Sequence, residues 1–357
     1  MQILKSIKIQ IILIIYFFIF ITGCAPTLKQ IPEISKEAIE AERKKQKRLA
    51  LFTYLERKKR LYNVWYPLLI GALPFCKKNF QFIYGFRIHN KHMYKNEEDI
   101  KILKELFYIN ENPTIWYVHP HLPAGKVLQV NDKIIKINGK KPKNIEEAIK
   151  IIKNSKKLDL LIERNGKLLN IELMPLKGCS YEVYLIFDES INAWAAPKGR
   201  IFVTTALMRF VQSDTELALI LGHEIAHQAL GHITKKMGNV ILGSVIDILI
   251  AATLGIDTQG AFGKIGGLVY SKEFEREADY IGTYIAARGG YDISNATNLW
   301  RRIAIEFPKS MKNNFLATHP STPERFLLIE KTVQEIKEKK AKGEPLLPSQ
   351  NFLNSFK

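Results

Sequence analysis

Cysteine is scarce in this chain: three among 357 residues, at positions 24, 76 and 179. That is too few for a disulfide-built scaffold. Long hydrophobic runs are lacking as well. The stretch 9–21, broken only by Gln10, is short for a membrane-spanning helix, and the run 239–255 is interrupted by Asp247. The second run is expected as a helix packed over a core or dipping into a nearby membrane. No internal repeat is evident. Acidic side chains are outnumbered, 35 Asp and Glu against 53 Lys and Arg, for a net charge of +18. The lysines are spread along the chain beside many isoleucines, and no nucleic-acid-binding module is visible, so no nucleic-acid partner is expected. What is present is length enough for two domains with their own cores.

The most informative segment is His223-Glu224-Ile225-Ala226-His227. Two histidines four apart share one face of an α-helix and can grip one metal ion, with the intervening glutamate placed to take a proton from bound water. Ser213-Asp214-Thr215-Glu216 reads as a capping box, and Leu217, Leu219, Ile220, Leu221 and Ile225 supply buried surface. A continuation to a glycine and a third histidine is absent, because Leu230 and Ile233 occupy those places. His232 falls well off the ligand face of a continuous helix and reads as a poor third ligand.

A better third ligand lies some fifty residues on, in the run from Ser271 to Gly282. Glu275 and Asp279 form an i, i+4 pair, with Gly282 one turn further and small enough for another helix to approach. This reads as Glu275 on the metal and Asp279 accepting a hydrogen bond from a ligand histidine. Glu273 and Glu277 are expected to face solvent.

HEIAH followed by ExxxDxxG resembles metallopeptidase family 48, the gluzincin group that includes the CAAX prenyl protease and periplasmic lipoprotein proteases. Two further segments carry the resemblance: Asn192 to Leu207, similar to the family's strand-and-turn before the metal helix, and Thr318-His319-Pro320 with Arg325. Ala206 departs mildly from a common glycine. The resemblance spans about residues 180–340 and the helix at 35–70. It implies one Zn²⁺ per chain held by His223, His227 and Glu275, a water made acidic by that ion, and Glu224 as general base. It also implies extended substrate pairing with an edge strand at Asn192, Ala193 and Trp194. His319 would face the zinc as a latch, and Arg325 would be a salt-bridge partner near the site.

At the N-terminus Lys5 and Lys8 precede the apolar run, and Ile21-Thr22-Gly23-Cys24 resembles a bacterial lipobox. Residues 1–23 then read as a lipoprotein signal peptide and Cys24 as the lipidated residue. Ala25 in place of Asp favours an outer-membrane anchor facing the periplasm, and hence contact with the membrane through Cys24. Cys76 and Cys179 remain as a candidate disulfide in an oxidising compartment.

These two cysteines bracket residues 77–178, which resemble an inserted PDZ domain. The resemblance rests on Leu122-Pro-Ala-Gly through Asp132 to Asn138-Gly139, a helix Ile145–Lys153 capped by Asn144, and strands near 158–164 and 167–174 about the turn Arg164-Asn165-Gly166. Asn131 stands where glycine is usual, and one residue is missing between Ala124 and Leu128. Tyr84-Gly85-Phe86 is the candidate carboxylate-binding loop, so C-terminal tails are expected partners there.

The expected fold is α+β: a mainly helical zincin-type domain with a small sheet, built from 24–75 and 179–342, with the β-rich domain 77–178 inserted and 343–357 a loose tail. A basic helix around Arg43–Arg60 should present Leu49, Phe52, Leu55 and Tyr62 as its apolar stripe. Two functions are open: a zinc endopeptidase degrading misfolded or unassembled envelope proteins, and an envelope chaperone or assembly factor with little turnover. The intact Glu224 favours the first.

Overall fold

The computed structural model of the protein describes residues 32–76, 79–238, 241, 244, 270–306, 319 and 322–349. Cys24 and the expected leader, and nearly all of the apolar run 239–255, lie outside the described residues. The chain divides into two compact units, one ending at Ala50 and one starting at Leu51. No helix among the described residues is long and apolar enough to cross a membrane.

Helix α1, Lys36–Gly71, begins in the first unit and continues into the second. Its second half is core: Leu61, Val64, Trp65, Leu68 and Leu69 are fully buried. Of the expected stripe, Leu55 and Tyr62 are buried, whereas Leu49 and Phe52 are 65% and 44% exposed. The reason is local. Arg43, Lys44, Lys45, Lys47 and Arg48 crowd that part of the helix and leave no continuous apolar face to bury.

Strand β1 (Phe80–Ile83) leads into β2 (Phe86–His89), helix α2 (Glu97–Phe107), β3 (Thr114–Val118), β4 (Lys133–Ile137), helix α3 (Ile145–Asn154), β5 (Leu158–Arg164), β6 (Lys167–Leu173) and β7 (Leu176–Cys179). Five of these strands make a sheet in the order β2-β3-β4-β5-β6, which leaves β2 on an edge. Asn165 and Gly166, both at positive φ, make the tight turn joining β5 to β6. Asn144 caps α3 by accepting from the Glu147 amide at 2.8 Å. Ile88, Ile115, Ile134, Ile137, Ile145, Leu160 and Ile162 form a small core between sheet and helix.

Strands β1 and β7 pair antiparallel, Phe80 opposite Cys179, and form a neck where the chain enters and leaves this region. Cys76 and Cys179 are joined there by a disulfide with Cα atoms 5.8 Å apart. Residues 77–178 do not bury themselves alone. Ile100, Leu103 and Phe107 of α2, with Trp116, Tyr117 and Leu122, join the larger core of the molecule. Strand β3 is covered on both faces, Ile115 turned to the small core and Trp116 to the large one.

The larger core is completed by β8 (Glu182–Ile186), β9 (Ala193–Ala196), β10 (Arg200–Thr204) and helices α4 (Thr205–Phe210), α5 (Asp214–Ala229), α6 (Lys272–Arg288), α7 (Ala296–Glu306) and α8 (Pro323–Ala341). The three strands are ordered β8-β10-β9, with β9 antiparallel on an edge. The architecture is therefore mixed helix and sheet, as expected. Of the tail expected to be loose, residues 343–349 are described, and they are held down. Arg288 Nη1 donates to the Leu346 carbonyl at 3.2 Å, Lys339 Nζ donates to that of Leu347 at 2.5 Å, and both leucines pack on the core.

Candidate metal centre

Helix α5 starts where Ser213 accepts from the Glu216 amide at 3.2 Å, and α6 where Ser271 accepts from the Phe274 amide at 3.2 Å. The two helices cross backbone to backbone. A Cβ on Gly222 would lie 2.6 Å from the Gly282 carbonyl oxygen, and one on Gly282 would lie 2.7 Å from the His223 nitrogen. This contact brings the two histidines of α5 against the two carboxylates of α6.

All the donors expected from the two helices converge. His223 Nε2 and His227 Nε2 are 3.1 Å apart, and Glu275 places its oxygens 3.5 Å from the first and 3.4 Å from the second. His319 joins them. Its Nδ1 lies 2.8 Å from Glu275 Oε1 and 3.2 Å from His223 Nε2, so one ligand atom from each of His223, His227, Glu275 and His319 falls within 4.8 Å of the others. All four side chains are buried.

Hydrogen bonds at the far side of each ring assign the tautomers. His223 Nδ1 faces Asp279 Oδ1 at 3.0 Å, and a carboxylate can only accept, so that nitrogen carries the proton and Nε2 presents a lone pair. His227 Nδ1 faces His232 Nδ1 at 3.0 Å, and His232 Nε2 faces Glu277 Oε2 at 2.8 Å. Glu277 therefore fixes the His232 proton on Nε2, and His232 Nδ1 accepts from His227. Two acceptor lone pairs thus meet at 3.1 Å beside a carboxylate, an arrangement that suits a cation. Donors at about 2.1 Å around a tetrahedral ion stand about 3.4 Å apart, which matches the spacings here. The residues fit zinc.

His232 and Glu277 are the part of the site that helical spacing missed. The expectation for His232 assumed a continuous helix, but Gly231 at φ 71° breaks it and swings His232 back under His227. Glu277 was expected to face solvent, and it turns its carboxylate inward instead while remaining 43% exposed. Glu273 is exposed, as expected.

Arg325 locks the other side. It donates Nε to Asp279 Oδ2 at 2.6 Å and Nη2 to Oδ1 at 2.8 Å, lies 2.9 Å from Glu275 through Nη1, and reaches the His319 carbonyl at 3.2 Å. Burial works to raise the Asp279 carboxyl, but the Arg325 guanidinium outweighs it and holds that group below its usual range. Glu224 is different. Burial pushes its carboxyl above the usual range, against the pull of His319 and His223, which suits a group that must take and return a proton.

Glu224 also touches the edge strand. Its Oε2 accepts from the Ala195 amide at 2.7 Å, and Oε1 lies 3.3 Å from His319 Nε2. Gln228, one turn along α5, donates to the Ala196 carbonyl at 2.6 Å. Strand β9 thus passes beside the general-base candidate. Of the three residues expected to receive substrate, Ala193 and Trp194 lie in the strand, opposite Val203 and Phe202, and Asn192 just precedes it. Ala195, not singled out beforehand, makes the direct contact.

Residues 156–333 match the profile of Peptidase family M48, and residues 84–163 match that of the PDZ domain. A peptidase M48 domain and a PDZ domain are thus both present in this chain. Among curated proteins it is similar to the mitochondrial metalloendopeptidase OMA1 of Schizosaccharomyces pombe, at 31% identity over 52% of this chain and 57% of that one. It is also similar to the human metalloendopeptidase OMA1, at 29% identity over 50% and 40%, and to the beta-barrel assembly-enhancing protease of Yersinia pestis, at 28% over 39% and 32%. The chain thus spans between about a third and just over half of these relatives. A crystal structure of the HtrA3 PDZ domain bound to a phage-derived ligand covers 28% of this chain and 88% of that one, at 18% identity and a TM-score of 0.23. The M48 match begins at 156, inside the five-stranded sheet, and omits helix α1, although Trp65 and Leu68 of α1 are fully buried in the larger core.

Proposed function

We propose that this protein is a zinc-dependent endopeptidase that cleaves misfolded or unassembled proteins of the bacterial envelope, anchored by a lipid on Cys24 and facing the periplasm. The observation that carries the reading is the convergence of His223, His227 and Glu275 on one point, with Glu224 between that point and an edge strand. A Zn²⁺ held by those three residues supplies a Lewis acid that polarises the scissile carbonyl and makes water acidic. Everything else falls to the chain. Extended substrate adds to the outer edge of β9, where main-chain pairing makes little demand on sequence. Glu224 accepts the proton of the attacking water and returns it to the leaving amine. Asp279, held by Arg325, keeps His223 in its ligand tautomer, and His232 with Glu277 does the same for His227.

His319 serves as a latch in this reading. A fourth protein ligand closes a zinc site, whereas catalysis needs that position open. The envelope location rests on the lipobox-like run ending at Cys24, and the PDZ domain is read as a receptor for peptide C-termini. Glu224→Gln tests the central claim: zinc content by metal analysis should be unchanged while cleavage of casein is lost. A variant that still cleaves removes Glu224 from the chemistry.

A further inference from the structure

A second cleft, of about 130 Å³, lies where the PDZ sheet meets helix α1. One wall is β2 and α3, with Ile149, Ile152 and Lys153, and the other is α1, with Lys58, Tyr62 and Tyr66. Strand β2 is an edge strand, so its outer side is where an added strand would pair. Helix α1 already touches that side, because the Tyr66 hydroxyl donates to the Phe86 carbonyl at 3.3 Å.

The charges around this cleft do not balance. Among the described residues, Lys58, Arg87 and Lys153 face it with one carboxylate, that of Glu182. Glu182 Oε1 lies 2.7 Å from Lys153 Nζ, and Oε2 lies 3.4 Å from both Nη1 and Nη2 of Arg87. A single side chain from β8 therefore ties β2 to α3. The Arg87 guanidinium sits 4.6 Å from the Tyr62 ring, and its Nε has no hydrogen-bond partner among the described residues. Lys58 makes no ion pair among the described residues and lies over Trp116 and Tyr54, at 5.2 and 5.7 Å from the ring centres. Burial, with Arg87 adding repulsion, holds its ammonium down to about 8. Such a group gains from an incoming anion.

Direction identifies the anion. A chain adding antiparallel to β2 runs towards the start of that strand, so its C-terminus arrives at the Tyr84-Gly85-Phe86 turn, next to Arg87. We propose that the cleft takes the free carboxylate end of an extended peptide, met by Arg87 and by Lys58 of the peptidase helix, and that Glu182 is the internal clasp this carboxylate displaces. The binding site is then shared between the two domains, and seating a peptide requires opening the contact between them. The inference rests on the reading of the PDZ domain as a peptide receptor.

The test uses the full chain and a fluorescein-labelled heptapeptide ending in valine, as free acid and as amide, followed by fluorescence anisotropy. Glu182→Gln should tighten binding of the free acid at least fivefold over wild type. Lys58→Met in the same background should weaken it at least fivefold, and the amide should bind poorly throughout. Equal affinity of wild type and Glu182→Gln, no effect of Lys58→Met, or equal binding of acid and amide overturns the clasp while leaving the groove a peptide receptor. Failure of the peptide to bind wild type and Glu182→Gln alike overturns both.

Discussion

At the scale of single residues, the site is ordered by what stands behind the donors. Asp279 and His232 each accept a hydrogen bond from Nδ1 of one of the paired histidines, His223 and His227, and both Nε2 lone pairs are left facing one point. Without these partners each imidazole could present the wrong nitrogen. His319 differs from the others, because it reaches the site from the segment before α8 and packs against Glu275 and Glu224 together. If it acts as a latch, His319→Ala should raise basal cleavage of casein several-fold with zinc content unchanged. Reduced cleavage at unchanged zinc content would instead mark His319 as a group that assists the reaction.

At the scale of elements, the decisive contact is the crossing of α5 and α6. Glycine at 222 and 282 removes the side chains that would otherwise separate the helices, and the metal donors inherit their spacing from that approach. A methyl at Gly282 would meet the nitrogen and Cα of His223 at 2.7 and 2.8 Å, backbone atoms that cannot rotate away. Gly282→Ala should therefore destabilise the fold by about 1–3 kcal/mol, as overpacking does. It should also lower zinc affinity, read by competition with a chelator. A variant with wild-type melting and zinc affinity would show that the helices tolerate separation. The edge strand β9 belongs to the same scale: its register on β10 puts the Ala195 amide on Glu224.

At the scale of the whole molecule, the neck closed by Cys76–Cys179 and the β1–β7 pair holds the five-stranded sheet to the larger core. The two cysteines are separated by 103 positions. A cross-link closing so long a loop removes much of the entropy of the unfolded chain, at most about 4–5 kcal/mol on that view. Cys76→Ser should lower the melting temperature measurably, and reducing agent should lower that of the wild type to match. Equal melting of oxidised, reduced and Cys76→Ser protein would show that the shared core alone fixes the neck. That core is extensive, since α2 and β3 already bury Leu103, Phe107 and Trp116 with α1.

Much was legible in the chain itself, because local rules governed it. The i, i+4 spacings of His223 with His227 and of Glu275 with Asp279, the serine caps of α5 and α6, and the Asn165-Gly166 turn depend on residues close in sequence, where helical and turn geometry suffice. Other features were decided only by tertiary structure. Helical spacing cannot foresee that Gly231 redirects His232 beneath His227, nor that Glu277 reaches back to meet it. Composition cannot tell that the basic first half of α1 leaves Leu49 exposed while its second half is core. Nor does any local pattern place Glu182 between Arg87 and Lys153, 95 and 29 positions away, because a pairing across two domains exists only once both have folded and met.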